Sequence, residues 1–284
     1  MTDDYVAPVV AKALPVIKWA GGKRQLIPEI IKFIPPKITS YFEPFMGGGA
    51  LFFHLANENR FEQATVNDVN PEIANLYQVI QRVPEDLMKS LDYMAELGFS
   101  REVYNEVRAI DTQDLDPHER AARTIYLNKC GFNGLYRQNK KGQFNVPWGK
   151  RTNPTLYDRD VILACSEALQ DTTICSGDFT CATPHAGPGS VVYMDPPYVP
   201  HSETSNFKNY TADGFTMEDQ IRVRDLFAQL ANQGVLVIAS NNDTPVVREL
   251  YAGFEVHGIQ ARRNINSKGA KRGPVGEILV VANA

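Results

Sequence analysis

The tetrapeptide Asp195-Pro196-Pro197-Tyr198 follows an apolar run, Val191 to Met194, that is typical of a buried strand. An amino group on a nucleobase or an amide is a poor nucleophile, because its lone pair is delocalised into the adjoining π system. A carboxylate and a proline-fixed backbone carbonyl can accept its two protons and steer that lone pair outward, while a tyrosine ring can stack on the planar group. Proline fixes φ near about −65° and restricts the preceding residue, so a rigid turn at a strand end suits this geometry. By itself the tetrapeptide is equally compatible with an ordinary strand-to-loop turn.

A glycine run and an acidic residue follow two consecutive predicted strands in the first part of the chain. Gly47-Gly48-Gly49 lies between a short strand and a helix, where glycine allows the backbone to approach a ligand closely. Asp68 ends the next strand, where an acid can hold the hydroxyls of a ribose. The G-x-G-x-x-G pattern of dinucleotide sites is not present. The two features together favour a nucleoside ligand over a chance glycine turn.

A third segment, Lys18-Trp19-Ala20-Gly21-Gly22-Lys23, precedes a predicted helix over 25–33. Its glycine pair could place Lys23 on a carboxylate or phosphate of a ligand, with Trp19 lining the pocket. The alternative is a hydrophobic anchor followed by a solvated lysine. The full G-x-x-x-x-G-K-[ST] spacing is missing, which disfavours a nucleoside triphosphatase.

The elements that must position these residues alternate between strands and helices. A strand, a glycine turn and a helix are predicted across 40–55, a strand over 64–70 and a helix over 71–82. The alternation resumes with a helix at 158–170, strands at 173–176 and 191–194, a helix near 217–232, a strand at 234–240 and a short helix at 246–251. A final pair of strands is predicted at 254–260 and 277–281. Between the two halves, 85–130 is helical and acidic, and 131–153 favours a hairpin and loop. This pattern indicates an interrupted α/β fold with a helical and loop insertion.

Composition limits the class of protein. With 284 residues, 43% hydrophobic and 22% charged, the chain has the composition of a soluble globular protein. No apolar run is long enough to span a membrane, and no signal peptide is evident, so a cytoplasmic location is expected. The four cysteines show no CxxC pair, which predicts free thiols and no metal site.

The net charge of −4 argues against a protein that coats polyanions with its whole surface. The cations are nevertheless unevenly distributed, and two groups contain no acid. The first group is Arg137, Lys140, Lys141, Lys150 and Arg151; the second is Arg262, Arg263, Lys268, Lys271 and Arg272. Taken together, they predict one surface that faces nucleic acid.

Four segments resemble, in order, the motifs of the Dam family of DNA adenine-N6 methyltransferases, and the likeness extends from Val16 to Val281. They are the N-terminal motif at 18–23, the cofactor loop at 41–53, the ribose motif at 67–70 and the catalytic motif at 195–198. Their order is that of the α class of amino-methyltransferases. The resemblance implies a Rossmann-like S-adenosylmethionine-dependent sheet over 13–84 and 155–284. It also implies an inserted, mainly helical plus hairpin DNA-recognition domain over 85–154, and residues 1–12 are predicted to be a loose tail.

The resemblance also implies roles for individual residues. Asp195 would accept a proton of the target N6 amine, Tyr198 would stack on the extruded adenine, and Pro196 and Pro197 would shape the catalytic turn. S-adenosylmethionine would be bound by Trp19, Lys23, Phe45, Gly47, Gly49, Asp68, Asp178, Phe179 and Asp195.

The segments 131–137 and 142–149 resemble the hairpin that recognises GATC in this family. Phe132 would fill the space left by the extruded base, Asn133 would fix the register, Arg137 would bind a guanine edge through both guanidinium arms, and Pro147 would touch a base methyl. Leu135 lies in the same hairpin, and Lys150 and Arg151 follow it. The family often has an aromatic residue shortly after Gly149, and Lys150-Arg151 stands there instead, which leaves the outer base pairs of GATC open.

Two further segments resemble loops of the family. Residues 202–207 correspond to the loop over the target base, and 264–272, with Lys268, Lys271 and Arg272, correspond to a loop that faces DNA phosphates. The partner predicted for this site is double-stranded DNA, with neither metal nor membrane, and a monomer would suffice for it. Two alternatives remain: the same fold acting on an RNA base or a protein glutamine, and a DNA-binding homologue without activity. Restriction–modification, phage and housekeeping roles are all compatible with these features.

Overall fold

The computed structural model describes residues 11–139, 142–199, 214–262 and 274–284, and these contain one seven-stranded sheet. Its strands are β1 (Ile38–Glu43), β2 (Phe61–Asp68), β3 (Thr172–Ser176), β4 (Ser190–Met194), β5 (Leu236–Asn242), β6 (Glu255–Arg262) and β7 (Pro274–Ala282). The strand order is β3-β2-β1-β4-β5-β7-β6. Strands β1 to β5 pair in parallel, whereas β7 is antiparallel to both β5 and β6. The α/β class predicted from the sequence is confirmed.

The α-helices of the described residues are α1 (Ile27–Ile30), α2 (Ala50–Asn57), α3 (Pro71–Arg82), α4 (Pro84–Leu97), α5 (Arg101–Ala109), α6 (Pro117–Cys130), α7 (Arg159–Ala168), α8 (Met217–Asn232) and α9 (Pro245–Leu250). The first residues of α3 and α8 follow from capping chemistry. Asn70 accepts a hydrogen bond from the N–H of Glu72 at the start of α3, and Thr216 forms a capping box with Asp219 at the start of α8. Both helices begin and end at the predicted residues.

Side chains on the two faces of the sheet form two hydrophobic clusters. One cluster joins α2, α3 and α7 with α4, α5 and α6, and it contains Leu76, Leu91 and Tyr126. The other lies under α8 and α9 and contains Phe227 and Val247. The helices of the predicted recognition segment therefore pack into the same core as α3, and the separate role of 85–154 stays a proposal.

Several element boundaries differ from the prediction. The strand expected over 64–70 is β2 at Phe61–Asp68, and the last strand, expected at 277–281, is β7 at Pro274–Ala282. Two further differences have a clear physical cause. The helix expected over 25–33 is a 3-10 turn at Lys23–Gln25 followed by the short α1. Pro28 has no N–H with which to continue the first turn, and Pro35 disfavours helical backbone at the residue before it. The strand expected at 234–240 is displaced to 236–242, because Gly234 adopts a left-handed turn with φ of +78°.

The strand order reverses between β1 and β4, which are neighbours in the sheet. In open α/β sheets, ligands bind beyond the carboxyl ends of the strands at such a reversal, because the loops diverge there and leave a crevice. The residues that follow β1 begin the glycine loop, and Asp195 directly follows β4. The topology therefore brings together motifs that lie 150 residues apart in the chain.

Glu43, the last residue of β1, is a buried carboxyl beneath this crevice. Burial raises its pKa to about 8, while a hydrogen bond from the hydroxyl of Tyr41, at 2.8 Å, lowers it and the charge of Asp195 raises it. The group therefore holds a proton near neutral pH, which avoids a second carboxylate charge next to Asp195.

We expect Glu43→Gln to change the dependence of stability on pH. The pKa of the wild-type carboxyl rises from an ordinary 4.5 to about 8 on folding, so the folded state binds a proton that the unfolded chain releases. The stability that Glu43 contributes is complete below about 4.5 and is lost as the pH rises through about 8. Urea unfolding at several pH values should show wild type losing free energy of unfolding relative to the variant across this window. Parallel profiles would contradict the assignment.

Asn128 on α6 connects the N-terminal motif to the hairpin. Its buried side chain accepts a hydrogen bond from the N–H of Lys18 at 2.8 Å and donates to the carbonyls of Lys18 at 2.8 Å and Gly134 at 3.0 Å. These three hydrogen bonds hold two segments that lie outside the sheet and the α-helices against α6.

We expect Asn128→Ala to lower the free energy of unfolding by about 2–4 kcal/mol, because three backbone groups lose their buried partner. Asn75→Ala is the matched control, since Asn75 donates one exposed hydrogen bond to the carbonyl of Pro117, and its loss should cost less than about 1 kcal/mol. Equilibrium unfolding in urea measures both. Equal losses in the two variants would show that Asn128 does not have this role.

Candidate active site

The catalytic turn 195–199 is held by side chains from β5 and α8. The amide of Gln220 donates to the carbonyl of Pro197 at 2.6 Å, and Asn241 both accepts from the N–H of Val199 at 3.2 Å and donates to Gln220 at 3.1 Å. Asn242 donates to the carbonyl of Val199. Gln220 and Asn241 are buried, so the turn rests on a dry polar support. A turn supported in this way can hold its carboxylate in a fixed position.

The carboxylate of Asp195 has two partners on the same oxygen. Ser240 on β5 donates its hydroxyl to Oδ1 at 2.8 Å, and the ammonium of Lys23 lies 2.9 Å from Oδ1. Ser240 is in turn 3.0 Å from the hydroxyl of the buried Tyr193. Lys23 is only 8% exposed and also donates to the carbonyl of Gly21 at 2.7 Å. The N-terminal motif and the catalytic motif are therefore in direct contact.

Tyr198 lies beside this ion pair. Its hydroxyl donates to Oε2 of Glu277 on β7 at 2.9 Å, and its ring centroid is 4.5 Å from the ammonium of Lys23. The hydrogen bond to Glu277 and the cation–π contact with Lys23 together hold the ring beside the ion pair.

The glycine loop meets Asp68 across the ends of β1 and β2. Asp68 accepts hydrogen bonds from the N–H groups of Gly47 and Asn70, each at 2.9 Å, and burial raises the pKa of this carboxyl to about 6 against those two hydrogen bonds. Gly47 has φ of +48°, and a Cβ there would lie 2.5 Å from Trp19 Cδ1. Only glycine allows Trp19 to pack this closely. Gly49, with φ of +65°, caps α2.

A second part of the crevice is aromatic. Phe45, in the loop after β1, stacks on Phe179 with ring centroids 5.3 Å apart. Asp178 precedes Phe179 and accepts hydrogen bonds from the N–H and the hydroxyl of Thr180 at 3.1 and 2.7 Å. Because Ser176 at the end of β3 pairs with Asp68 at the end of β2, this part of the crevice adjoins the glycine loop.

The predicted hairpin is present, although its strands are short. Bridges join Gly131 to Trp148 and Gln138 to Phe144. The guanidinium of Arg137 donates to the side chain of Asn145 at 2.6 Å and to its carbonyl at 3.2 Å. Its fork is thus extended along the hairpin and lies outside the core.

The residues next to the base of the hairpin differ in exposure. Phe132 is 47% exposed, more than any other phenylalanine of the described residues, and its N–H donates to the carbonyl of Pro147 at 2.9 Å. Asn133 adopts the left-handed region with φ of +57°. Leu135 is partly buried against the core. The structure thus leaves Phe132 available to a ligand near the base of the hairpin, whereas Leu135 packs against the core.

The hairpin is connected to the glycine loop through Trp19 of the N-terminal motif. The rings of Trp19 and Tyr136 are 5.3 Å apart, and Trp19 also packs on Gly47 and Gly48. The predicted cofactor and DNA segments are therefore neighbours.

The first basic group gains members that the sequence analysis missed. Burial lowers the pKa of Lys129 on α6, and the charges of Arg151 and Arg24 lower it further. These cations therefore lie close together beside Lys150, which has a left-handed φ of +59°. The predicted residues 202–207, together with Lys140, Lys141, Lys268, Lys271 and Arg272, lie outside the described residues.

Five supporting residues were not predicted: Gln220, Ser240, Asn241, Asn242 and Glu277. One signal was available, since the polar run Ser240 to Asp243 follows an apolar strand, where a strand end at the active edge places polar groups. Gln220 and Glu277 carry no local signal of this kind.

The four cysteines are free thiols, as predicted. In the described part of the chain, no three His, Cys, Asp or Glu side chains are grouped so as to hold a metal ion. Nor does any helix there have the length and apolar character needed to cross a membrane.

Comparison with known proteins extends over the same segments. The D12 class N6 adenine-specific DNA methyltransferase family matches residues 19–265. A type II methyltransferase of Lactococcus lactis subsp. cremoris is 45% identical over 272 residues, covering 94% of each chain. A type II methyltransferase of Methanocaldococcus jannaschii is 36% identical, covering 91% of this chain and 94% of the relative. A DNA adenine methylase of Escherichia coli is 33% identical, covering 93% and 94%. Because the match includes the glycine loop, the hairpin and the catalytic turn alike, this chain belongs to the D12 class of N6 adenine-specific DNA methyltransferases, enzymes that methylate adenine N6 in DNA.

Proposed function

We propose that the enzyme methylates the adenine of GATC in double-stranded DNA, with S-adenosylmethionine as methyl donor and Asp195 as the acceptor of the amine proton. The observation that carries the proposal is the position of Asp195, fixed by Ser240 and Lys23 and next to the ring of Tyr198. Family membership favours DNA adenine over an RNA base or a protein glutamine, and favours an active enzyme over a silent homologue.

The crevice residues fit an adenosyl cofactor. Asp68 is a partly buried acid at a strand end, and the N–H groups of Gly47 and Asn70 orient its oxygens, as ribose binding requires. Phe45, stacked on the buried Phe179, offers a partly exposed aromatic surface for a purine, with Asp178 beside it. When bound, S-adenosylmethionine supplies an electrophilic methyl group on a sulfonium and leaves as the thioether. The chain's own residues bind and orient it.

Asp195 and a proline carbonyl direct the lone pair of the amine. Gln220 already donates to the carbonyl of Pro197, so we assign the second acceptor to the carbonyl of Pro196. Once both N–H groups of the amine donate hydrogen bonds to these two acceptors, the nitrogen lone pair is directed outward and is no longer delocalised into the adenine ring. The amine forms the new N–C bond and releases one proton to Asp195. Positioning in this way can supply a large part of the rate.

Lys23 must change partner when adenine arrives. Its ammonium occupies Oδ1 of Asp195 and the surface of the Tyr198 ring. A carboxylate on the cofactor would give Lys23 an alternative partner, in agreement with the role assigned to it from the sequence. Once paired with such a carboxylate, Lys23 would leave Asp195 and the ring of Tyr198 open to the base.

An adenine inside a duplex cannot reach this crevice unless it leaves the stack, which costs a few kcal/mol. Tyr198 offers a ring for the extruded base. Phe132, half-exposed near the hairpin base, offers an apolar side chain for the vacated space. The cations Arg24, Lys129 and Arg151 would face the phosphates.

We expect Asp195→Ala to abolish methyl transfer, with a loss of about 10³-fold or more, because the amine loses its acceptor. Asp195→Asn should be nearly as inactive, and because it keeps a partner for Ser240 it separates loss of charge from loss of support. Transfer of a tritiated methyl group to a duplex with one GATC measures activity, and calorimetry measures binding of S-adenosylhomocysteine, which both variants should retain. Asp225→Ala, an exposed change on α8, is the control.

Near-normal turnover in either Asp195 variant would remove this residue from the mechanism. If the wild type incorporates no methyl group into adenine while binding the duplex tightly, the proposed activity itself fails.

Arg137→Ala should relax preference at one guanine by about 1–3 kcal/mol, because its fork would no longer contact the O6 and N7 acceptors of that base. Arg151→Ala is the contrasting variant, and we expect it to weaken binding to all sequences alike and to reduce the salt slope by about 1. Methylation rates on GATC and a panel of single-base variants measure the first effect, and binding at several salt concentrations measures the second. If the relative methylation rates across the panel are the same in Arg137→Ala as in wild type, this residue does not recognise a guanine.

A further inference from the structure

Arg222 on α8 contacts two residues of the crevice at once, although it lies in none of the motifs. One arm of its guanidinium is 2.7 Å from Oδ2 of Asp178, and the other is 3.0 Å from Oδ1 of Asp219 on its own helix. Its central carbon lies 4.8 Å from the ring centroid of Phe179. A single side chain thus holds both the acid and the adjoining aromatic ring.

The contact restricts Asp178. The Oδ1 atom of this carboxylate accepts two hydrogen bonds from Thr180, and Arg222 holds Oδ2. Burial would raise the pKa of Asp178, but the hydrogen bonds from Arg222 and Thr180 lower it below the ordinary value. The group is therefore a charged, oriented acceptor at the end of β3. Each carboxylate oxygen can accept more than one hydrogen bond, so both retain capacity for a ligand.

The same contact restricts the aromatic surface. Phe179 is buried and stacks on Phe45, and the guanidinium against its ring adds a cation–π interaction. Asp178 and Phe179 are successive residues, so a shift of Arg222 would move the acceptor and the surface together. A purine with an exocyclic amine requires an acceptor for the amine at its edge and an aromatic surface for its face.

We propose that Arg222 is a positioning residue that sets the preference of the crevice for the 6-amino group of the cofactor's adenine, by fixing Asp178 and Phe179 in one geometry. This inference rests on the proposed cofactor site. It adds a residue to that site that makes no contact with the reacting atoms.

A role in folding alone would leave a different signature. Arg222 and Asp178 are 44% and 46% exposed, and ion pairs with that exposure contribute little to stability. Helix α8 is held separately by the buried side chains of Gln220, Val223 and Phe227. The variants should therefore fold, and their melting temperatures should remain close to that of wild type.

The test compares two ligands across three variants of the full chain: Arg222→Ala, Arg222→Lys and the control Arg224→Ala. Arg224 lies on the same helix and pairs with Asp225. Calorimetry measures the dissociation constants of S-adenosylhomocysteine and of S-inosylhomocysteine, in which a carbonyl replaces the 6-amino group. The wild type should prefer the adenosyl ligand, because Asp178 accepts from the amine and repels the carbonyl.

In Arg222→Ala we expect roughly tenfold weaker binding of S-adenosylhomocysteine, the size expected for one hydrogen bond to a charged group. Binding of S-inosylhomocysteine should change less, so the preference between the two ligands shrinks. Arg222→Lys should restore part of the preference, since it keeps the charge near Asp178 but lacks the fork. The KM for S-adenosylmethionine should rise in the alanine variant while kcat at saturation stays within about twofold of wild type.

An unchanged preference in Arg222→Ala, or an equal loss of affinity for both ligands, would overturn the inference while leaving the proposed cofactor site intact. The same loss of preference in Arg224→Ala would also overturn it, because the effect would then belong to the helix as a whole. If wild type binds neither ligand, the proposed cofactor site fails, and this inference fails with it.

Discussion

The active edge depends on how a turn with two successive prolines is held in place. Pro196 and Pro197 contribute no N–H groups, so only the N–H groups of Tyr198 and Val199 could close the catalytic turn through its own backbone, and that of Val199 is bound by Asn241 instead. The buried amides of Gln220 and Asn241 close it from outside, through the carbonyl of Pro197 and the N–H of Val199. Rigidity is thereby obtained from the neighbouring strand and helix. Because the carbonyls of Pro196 and Pro197 are not paired within the turn, that of Pro197 can accept the supporting hydrogen bond from Gln220, and that of Pro196 is left for the proposed reaction.

The electrostatic arrangement follows from three carboxyl groups at one end of the sheet. Glu43 is kept protonated by burial, with a pKa of about 8, and Asp68 has a pKa raised to about 6. Asp195 faces the ammonium of Lys23. Repulsion among the three acids is thus limited differently at each residue. Burial keeps Glu43 protonated, backbone N–H groups donate to Asp68, and Asp195 faces an opposite charge. A site arranged in this way can accept one proton without collecting excess negative charge.

The sequence predicted the parts of the site that are local in the chain. The strand, turn and helix around Gly47, the acid at Asp68 and the bounds of α3 and α8 followed from capping residues and periodicity. Gln220, Ser240 and Glu277 were missed, because their partners lie 23, 45 and 79 residues away and no local pattern encodes such pairings. The α1 region was overextended because the apolar periodicity outweighed Pro28 and Pro35. The sequence therefore predicts the site residues that lie within one segment of the chain. The residues that support them come close only in the folded sheet, so the sequence does not predict them.

The contact between Trp19 and Tyr136 has an optical consequence. The chain has two tryptophans, and both lie where the predicted ligands meet the protein. Trp19 lies between the glycine loop and the hairpin, and Trp148 pairs with Gly131 at the hairpin base. Indole emission responds to the polarity and packing around the ring, and here it comes entirely from these two places. We therefore expect the intrinsic fluorescence of the unlabelled enzyme to change when either predicted ligand binds.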